Sequence, residues 1–424
     1  MNRRSVLPWS GAVAVLLGVA GCRTEKAPSQ GAAATQGVVP GAVAGVHMIA
    51  ELPGANWTTP AGDLANTRFS PLAQITVDNA KTLHVTSTFT TGVPHGHEGQ
   101  PLVVDGTMYV VTPFPNDLIA VDLKLPGTPV LWRYRPSPDP RSVGIACCDV
   151  VNRGASYADG KIIYNLLDAH TVAVDAKTGK EAWRTQIGDI NRGETITMAP
   201  LVVKDEVFVG NSGGEMGVRG KLVALDVHDG RELWRGYNTG PDADMLVGRD
   251  FEPFYEKDRG LNQGVTTWPP DQWQVGGATV WGWVSYDPEL DLVYYGTSNP
   301  GVWNPDLRPG DNKWSASILA RHANGGGLRW AYQVTPHDSW DYDEINESVL
   351  VDMDWKGQPR KLLLHAGRNG FLFVMDRRTG EVLSADAFEP TNWASGYDLT
   401  TGKPIEDPSK RAHSGETTRG ICPS

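Results

Sequence analysis

Trp132, Trp183 and Trp234 stand 51 residues apart, and Trp330 follows after a further 96, nearly two such steps. Each closes the same small pattern, in which an apolar strand ends in Asp, a Gly-containing turn follows, and a short segment reaches the Trp. The pattern is cleanest at Val174-Asp175-Ala176-Lys177-Thr178-Gly179 with Trp183 and at Leu225-Asp226-Val227-His228-Asp229-Gly230 with Trp234. Weaker copies surround Pro126-Gly127 with Trp132 and Gly325-Gly326-Gly327 with Trp330, and the strand Phe371 to Asp376 with Arg377-Arg378-Thr379-Gly380 opens another. A repeat of about 50 residues with several short strands must bury its apolar faces against neighbouring copies, which predicts an all-β chain of the β-propeller kind. Within the turn, Asp supplies a side-chain acceptor and Gly a position with φ > 0. The tryptophans are expected to pack between blades and to carry the fold, not the chemistry.

Composition narrows the function classes. The 424 residues have a net charge of −11 and no Lys/Arg-rich run, so the chain lacks the basic face that nucleic-acid phosphates require. Residues 1–21 carry Arg3-Arg4, an apolar stretch from Val13 to Val19, and Val19-Ala20-Gly21 before Cys22, the pattern of an export signal resembling a bacterial lipobox. Acylation of Cys22 is therefore expected, with a periplasmic, membrane-anchored lipoprotein as the product. Residues 22–48 are dominated by Ala, Gly, Gln, Ser and Pro and are expected to form a disordered tether, leaving 49–424 as the propeller domain.

The segment Ile145-Ala146-Cys147-Cys148-Asp149-Val150-Val151-Asn152-Arg153-Gly154 is unusual in a different way. Adjacent cysteines read equally as two buried thiols or as a strained ring closed between neighbours. Beyond it come Ser70-Pro71-Leu72, His97-Glu98-Gly99-Gln100-Pro101-Leu102, Gly213-Gly214-Glu215-Met216-Gly217-Val218-Arg219-Gly220, Trp281-Gly282-Trp283 and Ser298-Asn299-Pro300. Two further segments, Pro309-Gly310-Asp311-Asn312-Lys313-Trp314 and Thr335-Pro336-His337-Asp338-Ser339-Trp340-Asp341-Tyr342-Asp343, complete an ordered set. From about Trp57 to Ser424 this set resembles the pyrroloquinoline quinone (PQQ) dependent methanol and ethanol dehydrogenases, whose propellers have eight blades.

The resemblance implies a disulfide between Cys147 and Cys148, lying with Trp281 on the two faces of the PQQ ring. It implies polar contacts to the cofactor from Glu98, Arg153, Thr197, Ser212, Gly213, Gly214, Thr279 and Arg368, a set whose cationic forks and hydroxyl donors suit a flat polyanion. It assigns the metal to Glu215, Asn299, Asp341 and Asp343, all oxygen donors fit for a hard cation. In calcium-type relatives the position of Asp343 is usually small and neutral, so the extra carboxylate looks like the lanthanide-dependent branch, and a lanthanide(III) or Ca²⁺ ion is the expected partner of PQQ. Asp341 would be the general base that takes the alcohol proton while hydride moves to the quinone, and Trp303 would wall the substrate pocket.

The same resemblance implies a small primary alcohol as substrate. Because no Cys-x-x-Cys-His occurs, electrons would leave to a separate acceptor such as a c-type cytochrome. It also admits a homodimer. The family generally has Trp in the first blade where this chain has Ser87, and its remaining blades follow the Ile421-Cys422-Pro423-Ser424 motif. Roughly six blade equivalents fit the residues present, so a C-terminally truncated propeller is expected, and an inactive truncated product is one alternative. A non-catalytic propeller lipoprotein acting as a scaffold is the other, favoured by the lipobox but leaving Cys147-Cys148, Glu215, Asn299 and Asp341 without a use.

Overall fold

The computed structural model describes residues 46–423; the expected signal segment, Cys22 and most of the expected tether lie outside them. The described chain is built almost wholly of antiparallel strands, and its α-helices are the single turns Ser142–Ile145 and Gln263–Thr266. Among the described residues no helix is long and apolar enough to cross a membrane.

Five four-stranded meanders follow one another along the chain. The first sheet runs through Leu102–Val104, Thr107–Val111, Leu118–Asp122 and Val130–Tyr134. The second uses Asn152–Ala158, Lys161–Asn165, His170–Asp175 and Glu181–Gln186, with His97–Gln100 added in parallel beside Asn152–Ala158. The third comprises Leu201–Val203, Glu206–Gly210, Lys221–Asp226 and Glu232–Tyr237; the fourth Val284–Asp287, Leu292–Gly296, Ser317–His322 and Leu328–Gln333. The fifth holds Ser348–Trp355, Gln358–Ala366, Phe371–Asp376 and Glu381–Ala387, and Val46–His47, at the end of the segment expected to be a tether, pairs with its first strand. A hairpin of Ala394–Asp398 and Lys403–Glu406 comes last.

These sheets are the blades of a β-propeller, and the core lies between them. Strands such as Leu292–Gly296 are buried on both faces, as expected for a sheet covered on each side, whereas the fourth strand Glu181–Gln186 is largely exposed. One apolar cluster joins the first two sheets, another the second to the fourth, and a third the fourth and fifth.

The Trp repeat is the device that fixes neighbouring blades. The Trp183 indole N–H donates to the Val227 carbonyl at 3.0 Å, Trp234 to Ala323 at 3.0 Å and Trp330 to Arg377 at 3.0 Å, each acceptor lying in the turn of the next sheet. The ring then covers that turn's glycine. A Cβ on Gly230 would fall 2.5 Å from the Trp183 ring, one on Gly326 2.5 Å from Trp234, and one on Gly380 2.8 Å from Trp330. Glycine is needed twice over at Gly230, because its φ of +74° also disfavours a side chain. At the first blade the pattern lapses: nothing approaches within 4 Å of a Cβ on Gly127, and the Ser87 hydroxyl contacts Thr128 beside it. The doubled step between Trp234 and Trp330 holds no additional blade. It is filled by residues 238–283, which contain only short helical turns between the third and fourth sheets.

Candidate active site

Glu98 and Arg153 are brought together by the parallel pairing of His97–Gln100 with Asn152–Ala158. The Arg153 guanidinium reaches a Glu98 carboxylate oxygen at 3.0 Å, donates to Thr197 Oγ1 at 2.8 Å, and lies 5.0 Å above the Trp281 ring. Thr197 Oγ1 is in turn 3.2 Å from Ser212 Oγ. Five of the expected cofactor residues thus form one connected group. Burial pulls Arg153 below the usual arginine value, with Glu98 opposing, so a further anionic partner would restore what desolvation takes away.

The strand Glu206–Gly210 ends in a tight loop whose first residues face Thr279 and Ser298. Gly213 has φ +110°, and a Cβ there would meet the Gly193 carbonyl at 2.2 Å, so only glycine fits. A Cβ on Gly214 would stand 3.6 Å from both the Thr279 and Ser298 hydroxyls, which are themselves 2.9 Å apart. The backbone can therefore approach a flat ligand closely here, and the cradle fits a planar polyanion stacked on Trp281. The disulfide between Cys147 and Cys148 is formed, in the exposed loop that leads into the Arg153 strand. Trp303 stands 63% exposed, four residues after Asn299.

The acidic residues gather around one cation. Arg368 Nη1 lies 3.4 Å from Asp341 Oδ2 and 3.1 Å from Asp343 Oδ2, while the Asn299 backbone N–H donates to Asp343 Oδ1 at 2.8 Å. Burial raises the Asp341 carboxyl above the usual carboxylate value, opposed by Arg368 and assisted by the charge of Glu215. Asp343 is raised further by burial, then by Asp341. Among the described residues, neither the Glu215 carboxylate nor the Asn299 side-chain amide has a hydrogen-bonding partner, although Asn299 is 3% exposed. No three His, Cys, Asp or Glu side chains among them are already drawn into a metal-holding arrangement. The donor chemistry nonetheless suits a hard cation, with Arg368 as the charge that now sits between two of the acids.

One residue of this site escaped sequence reasoning. Asp338 accepts the amides of Trp340 at 2.9 Å and Tyr342 at 3.0 Å, the two neighbours of Asp341, and Asp341 itself is held at φ +67°. Burial pushes the Asp338 carboxyl up to about 6. Its signal was the spacing of an Asp two and four residues ahead of the amides it caps, a side-chain turn. Tyr342 donates to the Pro423 carbonyl at 2.7 Å, so the last described residues pack beside the acidic group.

Residues 57–387 match the family model described as glucose/ethanol/alcohol dehydrogenase, beta-propeller domain, under the family name PQQ. The chain is 49% identical over 369 residues to a lanthanide-dependent methanol dehydrogenase of Methylacidiphilum fumariolicum, covering 87% of this chain and 60% of that protein. It is 45% identical over 380 residues to methanol dehydrogenase (cytochrome c) subunit 1 of Methylorubrum extorquens, with the same 87% and 60% coverage. A solved europium-containing methanol dehydrogenase superposes with a TM-score of 0.85 at 49% identity, covering 87% of this chain and 64% of that one. The chain thus spans about three-fifths of the length of the curated relatives it matches.

Proposed function

Because the chain belongs to the PQQ family of glucose/ethanol/alcohol dehydrogenase β-propellers, we propose that it oxidises a small primary alcohol in the site around Asp341 and Arg153. The cofactors of this reading are PQQ with a lanthanide(III) or Ca²⁺ ion, and the electron acceptor is a separate c-type cytochrome, as the names of relatives suggest. Export to the periplasm and a lipid anchor on Cys22 belong to the same proposal and are read from the sequence alone.

The observation that carries it is the shared grip of Arg368 on Asp341 and Asp343, beside the Asn299 amide and the Glu215 charge. When bound, the quinone and its cation supply a hydride acceptor and a Lewis acid. The chain supplies the rest. Arg153, Thr197 and Ser212 orient a polyanion over Trp281 through charge-assisted and hydroxyl hydrogen bonds. Asp341 takes the alcohol proton on its carboxylate.

The test is retention of PQQ by the purified chain on gel filtration with La³⁺ or Ca²⁺, followed by dye-linked oxidation of a primary alcohol. PQQ that co-elutes and turns over supports the reading. A chain that retains no PQQ with either cation overturns it and leaves the two alternatives, a non-catalytic scaffold and an inactive truncated product.

A further inference from the structure

The Gly217–Val218 segment that follows Glu215 and Met216 forms one wall of a cleft of about 470 Å³. Residues 186–194, the ends of the third sheet's outer strands and Trp273 form the others. The cleft offers more hydrogen-bond donors than its own acceptors use. Lys221, only 2% exposed, gives one of its three N–H bonds to Glu194 Oε1 at 2.9 Å. Arg235 spends Nε and Nη2 on Glu232 and also meets the Tyr237 side chain, which leaves part of its donor capacity, and the Arg192 guanidinium has no ion-pair or hydrogen-bond partner among the described residues. The acids lining the cleft are partly occupied, with Asp189 Oδ2 left open toward an incoming cation or water. Glu194 accepts from Lys221 and from the Asp189 amide, and Asp189 Oδ1 accepts twice from Asn191.

Arg219 adds a fixed positive plate, held between the Tyr237 ring at 3.9 Å and the Trp273 ring at 4.7 Å and fastened to Asp244 at 2.8 Å. A nearly buried ammonium with two N–H bonds unspent is costly unless a ligand or ordered water accepts them. The cleft has room for more than water, and its unspent donors come from two side chains of the third sheet and one in the turn after the second.

We propose that this cleft is a binding site for a small multiply charged anion whose carboxylate or phosphate oxygens bridge Lys221, Arg235 and Arg192. Such a ligand ties the turn after the second sheet to the third sheet, against the loop that carries Glu215. The site does not depend on PQQ or on a metal, so its failure and that of the alcohol dehydrogenase reading are distinguishable.

Isothermal titration of the 424-residue chain at low salt, with citrate in one arm and inorganic phosphate in the other, tests it. One saturable event is expected in at least one arm, and the tighter arm identifies the oxygen chemistry. Lys221→Met strips Glu194 of its partner and is liable to lose the fold, so Arg192→Gln and Arg235→Gln decide. Each should weaken binding about tenfold with an unchanged circular dichroism spectrum, the scale of one charge-assisted hydrogen bond. No saturable heat at millimolar concentration in either arm, or an affinity in both variants unchanged from the parent chain, overturns the proposal.

Discussion

Asp341 and Asp343 share a guanidinium, yet they answer different questions. With Asp343 present the proposed metal site offers three carboxylates and one amide oxygen, which overcompensates a divalent ion and brings a trivalent one close to neutrality. Asp343→Ala is therefore expected to abolish lanthanide-dependent turnover, whereas Asp341→Ala should abolish turnover with any cation because the base is gone. Dye-linked oxidation with La³⁺ or Ca²⁺ separates the two, and full activity with Ca²⁺ alone, unchanged in Asp343→Ala, would mean that Asp343 is only a loop carboxylate. Asp338 works one step back, through the two amides that flank Asp341. Its replacement by Ala orphans both donors, at a cost of about 1–3 kcal/mol each when buried. The expected signature is a fall in kcat larger than any loss of PQQ affinity; unaltered kinetics would show that the loop holds Asp341 without it. The Asp341-Tyr342-Asp343 motif could be read from the sequence because its acids stand in a recognisable run. Asp338 could not be told from them, since a carboxylate that caps amides and one that meets a substrate are the same residue type. By resemblance the sequence marks Arg368 as a cofactor contact, and its hold on two acids becomes visible only when distant loops are folded together.

Along each blade the unit of stability is a tryptophan of one sheet seated on a glycine of the next. The repeat announced this element, because Trp and Asp-x-x-x-Gly recur at fixed spacing and each glycine's amide donates back to its Asp carbonyl, as Gly179 does to Asp175 and Gly230 to Asp226 at 2.9 Å. What the spacing left hidden is that His322 takes the Asp place in the fourth sheet, so that Gly326 and not Gly325 receives the ring. A paired substitution tests the seat. Gly127→Ala suffers only the left-handed backbone, roughly 1–2 kcal/mol, since nothing lies near its Cβ. Gly230→Ala suffers the same backbone strain plus a collision with Trp183, for a total of roughly 2–5 kcal/mol. Urea unfolding followed by tryptophan fluorescence should rank them in that order. Equal midpoints would mean that the ring slides aside at no cost and that the seat is not what holds the blades.

Over the whole molecule, a repeat pattern tells how many sheets there are more readily than which surfaces they leave open. The doubled step between Trp234 and Trp330 is a case in point: counting alone admits a hidden blade, but the residues between them make short turns that carry Trp268 and Trp273. The first sheet shows the same limit. Its missing Trp was legible at Ser87, but the consequence is spatial, an apolar surface that no repeat count describes. Val85 is 78% exposed, and Leu123, Leu125, Val130 and Leu131 are also exposed around the turn where Ser87 meets Thr128. Scattered exposed apolar side chains are ordinary on a soluble protein, whereas a continuous patch drives association. Association of two copies of the described chain through these five side chains is therefore a prediction to be measured. Sedimentation velocity should show weight-average mass rising with concentration, and Val85→Lys with Leu131→Lys should return the chain to monomer while leaving the unfolding midpoint within about 0.5 kcal/mol, since both side chains already face solvent. Self-association that persists in the double variant would place the contact on another surface, and a chain monomeric at every concentration would show that these side chains are only singly exposed.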